Sequence, residues 1–160
     1  MPEHNCTNPP VSQYLISTAP LRDAIAEILL AVTRYPELTD FGFGVWHERD
    51  LTPEEREAQF KVDRAKMFET RSLLQFIRAR AWLQGQQKRQ TTNCGGTSYG
   101  LKHVAAHYIG YVTNGIFIAA AVSVGFQIER ERSNSPNVWL NISKSAWRYP
   151  RVGGRKRRWS

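Results

Sequence analysis

A chain of 160 residues with 41% apolar and 22% charged side chains suits one compact domain with a sizeable core. Its longest nearly uninterrupted apolar run, residues 116 to 126, falls short of the roughly 20 residues that a membrane span needs, and MPEHNCTNPP lacks the basic start and apolar stretch of a secretory signal. Two cysteines, Cys6 and Cys94, make no disulfide framework, so a cytoplasmic setting without membrane attachment is expected.

The net charge of +8 is unevenly spread. Residues 1 to 70 hold 7 Lys/Arg against 12 Asp/Glu, whereas residues 71 to 160 hold 15 against 2, Glu129 and Glu131. Clustered cations of that kind favour a polyanion partner, and the acidic half offers itself to a protein partner or to solvent.

In chain order, residues 1 to 14 read as a polar, proline-containing arm and residues 15 to 147 as a single mostly helical domain. Pro20 at an early helical position opens an amphipathic helix over residues 20 to 34, with Leu21, Ile25, Ile28, Leu29 and Val32 at helical spacing. Tyr35-Pro36 stops it. ELTDFGFGVWHERD reads as a loop or a short extended piece, and Phe41 to Trp46, where exposed, would be a protein-binding patch. Thr52-Pro53-Glu54-Glu55 is a capping-box start. The helical pattern behind it runs to Gly85 with a break near Thr70, and Leu73, Leu74, Ile77, Ala81 and Trp82 are its expected core positions. After a polar loop, Ser98 caps a helix to Ile109, Gly110-Tyr111-Val112 turns the chain, and Thr113 caps a second helix ending at Gly125. QIERER, SNSPN and VWLNIS make a β-hairpin. Residues 148 to 160 form a basic tail interrupted by aromatics, expected to be disordered without a partner. The fold class is therefore mainly α, with a helix-turn-helix-like pair followed by a small hairpin.

Gly95 and Gly100 have the spacing of a phosphate-binding loop. However, Leu101 precedes Lys102, His103 stands where a hydroxyl is needed, and no apolar strand leads in. His103 and His107 share a helix face, and with Cys94, His4 and Cys6 they would make a zinc site only without the usual knuckle spacing. Cys94 with His103 as nucleophile and base lacks an orienting acid. Neither His47 with Glu48 and Asp50 nor the acids scattered before residue 70 have diagnostic spacing. No cofactor, metal or enzymatic activity is expected.

Lys102 to Ala121 has the small residue Ala106, the apolar Ile109, the turn glycine Gly110, and Ile116 and Ala119 set to pack back. With the hairpin, residues 98 to 143 resemble winged helix-turn-helix DNA-binding proteins, and the whole is vaguely similar to small phage and plasmid proteins. The resemblance implies a small DNA-binding regulator, duplex DNA as partner, and a homodimer by analogy. The second helix, NGIFIAAAVSV, is apolar almost all round, which leaves open whether it enters a groove or fills the core. DNA contacts are accordingly expected from Thr113 and Asn114 at its start and from Arg130 and Arg132 on the hairpin. Lys88, Arg89 and Lys102 would hold phosphates, and Arg155, Lys156, Arg157 and Arg158 in the tail would follow the backbone. Pairing with Glu129 and Glu131 is the alternative for the hairpin arginines. The other functional reading is a non-enzymatic inhibitor or accessory protein of a mobile element.

Overall fold

A computed structural model describes residues 18–151, which form a mainly α fold with two small β-hairpins. Five α-helices lie among the described residues: α1 (Ala19–Arg34), α2 (Pro53–Lys66), α3 (Thr70–Gln84), α4 (Ser98–Ile109) and α5 (Asn114–Val124). Between α1 and α2, β1 (Leu38–Thr39) and β2 (Gly42–Phe43) pair antiparallel, Leu38 opposite Phe43. After α5, β3 (Ile128–Arg130) and β4 (Val138–Leu140) do the same, with Glu129 opposite Trp139.

The core is built around α5, which packs on α3, α1 and α4. Its residues Asn114 to Ala121 are all buried, because a helix without a polar face has no side to give to water. Gly125, at φ +90, ends it in the left-handed conformation, as the sequence suggests. Lys88 Nζ donates to the Val124 carbonyl at 2.7 Å, placing a cation on the negative end of α5.

Several start and stop signals work as written. Thr52 Oγ1 accepts from the Glu55 N–H at 3.2 Å and Glu55 Oε2 accepts from the Thr52 N–H at 2.8 Å, a complete capping box. Thr113 Oγ1 likewise accepts from the Ile116 N–H. α4 starts one residue differently: Thr97 is its cap position, while Ser98 is buried and its hydroxyl accepts from the Val138 N–H at 3.2 Å.

Two core expectations change. In α1, Ala24, Ile28, Ala31 and Val32 are buried, whereas Leu29 faces solvent. In α3 the buried side is Leu73, Phe76, Ala79 and Leu83; Leu74 and Ala81 turn outward, and Ile77 and Trp82 are half-buried. The displaced stripe has a reason. Gln75 and Ser72 also point inward, where Gln75 Oε1 accepts from the Thr113 N–H and the Ser72 hydroxyl donates to the Lys66 carbonyl. Apolar periodicity cannot see buried polar side chains that are satisfied by backbone.

The glycine-rich stretch before α4 is a packing device. A Cβ on Gly96 would lie 2.2 Å from the Trp147 ring and one on Gly100 would lie 3.1 Å from it, so these glycines admit the indole against the helix start. Arg148 and Tyr149, at the start of the expected tail, lie on α4. The Tyr108 hydroxyl donates to the Arg148 carbonyl at 2.6 Å, and the Tyr149 ring meets His107 at 4.9 Å. The arm over residues 1 to 14 and the tail beyond Arg151 lie outside the described residues.

Candidate ligand-binding cleft

The axes of α4 and α5 bend by 86° across the four-residue break that contains Gly110, whose φ is +80. That angle approaches the roughly 90–120° of a helix-turn-helix pair. The face of α5 that would enter a groove is, however, inside the protein. What the bend creates instead is a cleft of about 630 Å³ between the β1–β2 turn, α2, α4, the start of α5 and the β3–β4 loop.

Its floor is the first residue pair of α5 and the turn beneath. A Cβ on Gly115 would lie 1.7 Å from the Thr39 carbonyl oxygen, so only glycine lets α5 rest directly on β1. The Gly115 N–H donates to the Asp40 carbonyl at 3.0 Å, and the Asp40 N–H donates to the Asp63 carbonyl at 3.2 Å. Thr113 Oγ1 donates to Asp40 Oδ1 at 2.8 Å. Asn114 Nδ2 reaches the carbonyls of Phe41 and Pro136 and Asn137 Oδ1, at 3.1 to 3.3 Å, and so staples both turns to the helix start. Gly42, at φ +125, leaves the space that this staple occupies. Asn114 is only 6% exposed, and its Oδ1 is buried without a partner among the described residues.

One wall is α2. Asp63 Oδ1 accepts from Gln59 Nε2 and Lys66 Nζ, both at 2.9 Å, and Arg64 Nε donates to the Leu38 carbonyl at 2.7 Å, fixing the helix to β1. The hydrogen bond and charge of Asp63 hold the Lys66 ammonium above its ordinary range. Burial raises the Asp40 carboxyl above the usual carboxylate range, with Asp63 adding to it; Thr113, Lys66 and Arg71 oppose the rise without cancelling it.

The other wall is α4, with Tyr99, Lys102 and His103, and beside it Tyr111 from the turn. Lys102 is 6% exposed, and its Nζ sits 4.9 Å from the Tyr99 ring centroid and 5.5 Å from that of Tyr111. It has neither an ion pair nor a hydrogen-bonding side chain among the described residues, and burial lowers its pKa. His103 is lowered too, by burial first and then by Lys102 and His107. Trp46, 62% exposed, closes the rim with Phe41, their rings edge-to-face at 5.3 Å.

Of the residues expected to contact DNA, Lys102, Thr113 and Asn114 come together here. They are a buried cation, a helix cap and a buried staple, rather than a surface row. Lys88 is engaged at the end of α5. Arg89 has an exposed side chain, and its backbone is paired with Asn141. Arg130 pairs with neither Glu129 nor Glu131. It meets Glu37 from the acidic half at 2.8 Å, donates to the Ser133 and Ser135 carbonyls, and stacks on Phe43 at 4.3 Å. Arg132 is exposed and meets Glu131 at 3.5 Å. Arg155, Lys156, Arg157 and Arg158 lie outside the described residues.

The sequence reading missed Asp40, Gln59, Asp63, Lys66, Tyr99 and Tyr111 as site residues. Asp40 and Asp63 were grouped with solvated acids, and only the tertiary approach of α2 to the β1–β2 turn buries them. Among the described residues there is no group of three or more His, Cys, Asp or Glu able to hold a metal ion; Cys94 is exposed, and His4 and Cys6 lie outside them. In the β1–β2 segment only Trp46 is exposed; Phe43 and Val45 are buried. No family model matches the sequence, and neither a curated protein nor a solved structure is similar to it.

Proposed function

We propose that this is a non-catalytic nucleic-acid-binding protein that receives a single strand in the cleft. Lys102 takes a phosphate there, and Tyr99, Tyr111 and Trp46 offer ring faces to bases. One observation carries the reading: a lysine that is 6% exposed and has no anionic partner among the described residues sets its ammonium in the cleft between two tyrosines, of which Tyr111 is 67% exposed. Burial disfavours the charged form of Lys102, an arriving anion favours it, and a phosphate is the partner that a basic half would attract. Stacking on aromatic side chains with cationic backbone contact is the common mode of single-strand binding. Duplex readout through α5 is the weaker form of the DNA-binding reading, because that helix has no free face. Arg78, Arg89, Lys144, Arg148 and Arg151 are exposed, without ion pairs among the described residues, and extend the attraction beyond the cleft.

Fluorescence anisotropy with a labelled 12-nucleotide single strand and the matching duplex, each at two salt concentrations, tests this. The single strand should bind more tightly, and Lys102→Met should weaken it at least about tenfold and lessen the salt slope by roughly 0.7. Equal or tighter duplex binding, indifferent to Lys102→Met, would overturn the reading.

A second reading, docking of a protein partner, is favoured by the exposed Trp46 indole alone. Copurification with a protein that Trp46→Ala abolishes, in the absence of strand affinity, would replace the first reading with this one.

A further inference from the structure

The cleft carries charged side chains on both walls and aromatic rings in its lining. On the α4 side stand Lys102 and His103; on the side of α2 and the β1–β2 turn stand Asp40 and Asp63, the latter paired with Lys66 at 2.9 Å. Lys102 and Asp40 are not ion-paired, and the charges that act on Asp40 are Lys66, Asp63 and Arg71. The two walls therefore address different ends of one ligand, with aromatic rings between them.

At the carboxylate end one acceptor is unspent. Asp40 is fixed through its backbone N–H, its carbonyl and Oδ1, while Oδ2 makes no hydrogen bond among the described residues. A spare carboxylate oxygen in a cleft calls for a ligand that presents N–H donors there. An ionised carboxylate only accepts, and it accepts best from two parallel donors.

Among the nucleobases, guanine carries two neighbouring donors, N1–H and the N2 amino group, on its pairing edge. Adenine and cytosine set an acceptor beside their amino group, and uracil and thymine flank a single N–H with two carbonyls.

Resting on the strand-binding reading above, we infer that the cleft is a guanine-nucleotide site: the base donates N1–H and N2–H to Asp40, and the phosphate lies against Lys102. The same chemistry is offered by a free guanosine monophosphate and by a guanine within a strand.

The test uses the full chain and the change in its tryptophan fluorescence, to which the exposed Trp46 at the cleft rim contributes. Guanosine, adenosine, cytidine and uridine 5′-monophosphates are titrated separately. So are heptathymidylate and its versions with a central guanine, adenine or cytosine. Guanine should be preferred by about tenfold or more, the discrimination of one bidentate base contact. Preference in the strands identifies a strand as the natural source, and preference among free nucleotides alone identifies the nucleotide; either supports the site. Asp40→Asn, which turns an acceptor into a donor, should abolish the guanine preference, whereas Lys102→Met should weaken every nucleotide alike. Strand binding with no base preference, or with adenine or cytosine preferred, overturns the guanine site and leaves strand binding standing. Failure of nucleotides and strands alike overturns both.

Discussion

The cleft and the β3–β4 hairpin each hold a cation over an aromatic ring, and they use it in opposite ways. On the hairpin, Arg130 is engaged at both terminal nitrogens: Glu37 takes one, the Ser133 and Ser135 carbonyls take the other, and Phe43 lies beneath, while Nε is buried without a partner among the described residues. In the cleft, Lys102 has two rings and no anion. Both residues look alike in the sequence, as members of one basic half. Planar arginine makes several directed bonds and suits the first task, while a lysine whose only attractions are ring faces keeps its ammonium open to a ligand. One cation joins the acidic half to the basic half, and the other awaits something from outside.

The comparison breaks most severely at the cleft floor. Gly115→Ala places a methyl group against the Thr39 carbonyl, a backbone atom that cannot swing aside, so chemical denaturation should register a loss of about 3 kcal/mol or more. Stability close to that of the wild type would mean that α5 does not rest on β1 as described. Arg130→Met should cost about 2 kcal/mol, because Glu37 and two carbonyls lose their donor, while strand affinity stays within about twofold. A large loss of affinity there would return the hairpin to the binding surface.

Lys102→Met should move the two quantities in opposite directions. The folded protein gains stability by shedding a charge that burial disfavours, and strand binding is lost. A variant that loses stability and affinity together would make Lys102 a structural residue like Arg130.

The smallest effect concerns Asp40. Its folded pKa is raised, chiefly by burial, so the folded protein holds the proton more tightly than the unfolded chain does. The stabilisation is complete below the unfolded value of 3.8 and is lost as pH rises through the folded value. Asp40→Asn should therefore match the wild type near about pH 3 and exceed it in stability near about pH 7. A constant difference across that range would place Asp40 in water.

Most of the element boundaries were legible because they are local. The Thr52/Glu55 box, the Thr113 cap, Gly110, Gly125 and the hairpin after residue 126 each act over a few residues, and the chain obeys them. The misplaced α3 face and the missed cleft share one cause. Gln75, Ser72, Asp63 and Lys102 are buried polar residues and Asp40 is half-buried, and a hydropathy pattern assigns such residues to solvent. Glycines 96 and 100 show the same gap from the other side. The spacing of Gly95 and Gly100 invites a phosphate, but the group that Gly96 and Gly100 admit is Trp147, some fifty residues later. The partner of Arg130 was likewise sought among its neighbours and lies in the other half of the chain.

The state of the Lys102 ammonium can be read directly by carbon-13 NMR of its ε-carbon through a pH titration, in the free protein and with a saturating single strand. The free protein should show Lys102 losing its proton below the ordinary lysine value of 10.5, and the bound strand should push that transition back upward, as an arriving phosphate favours the charged form. An ordinary titration in both states, unmoved by the strand, would contradict the assignment of Lys102 as the anion receptor of the cleft.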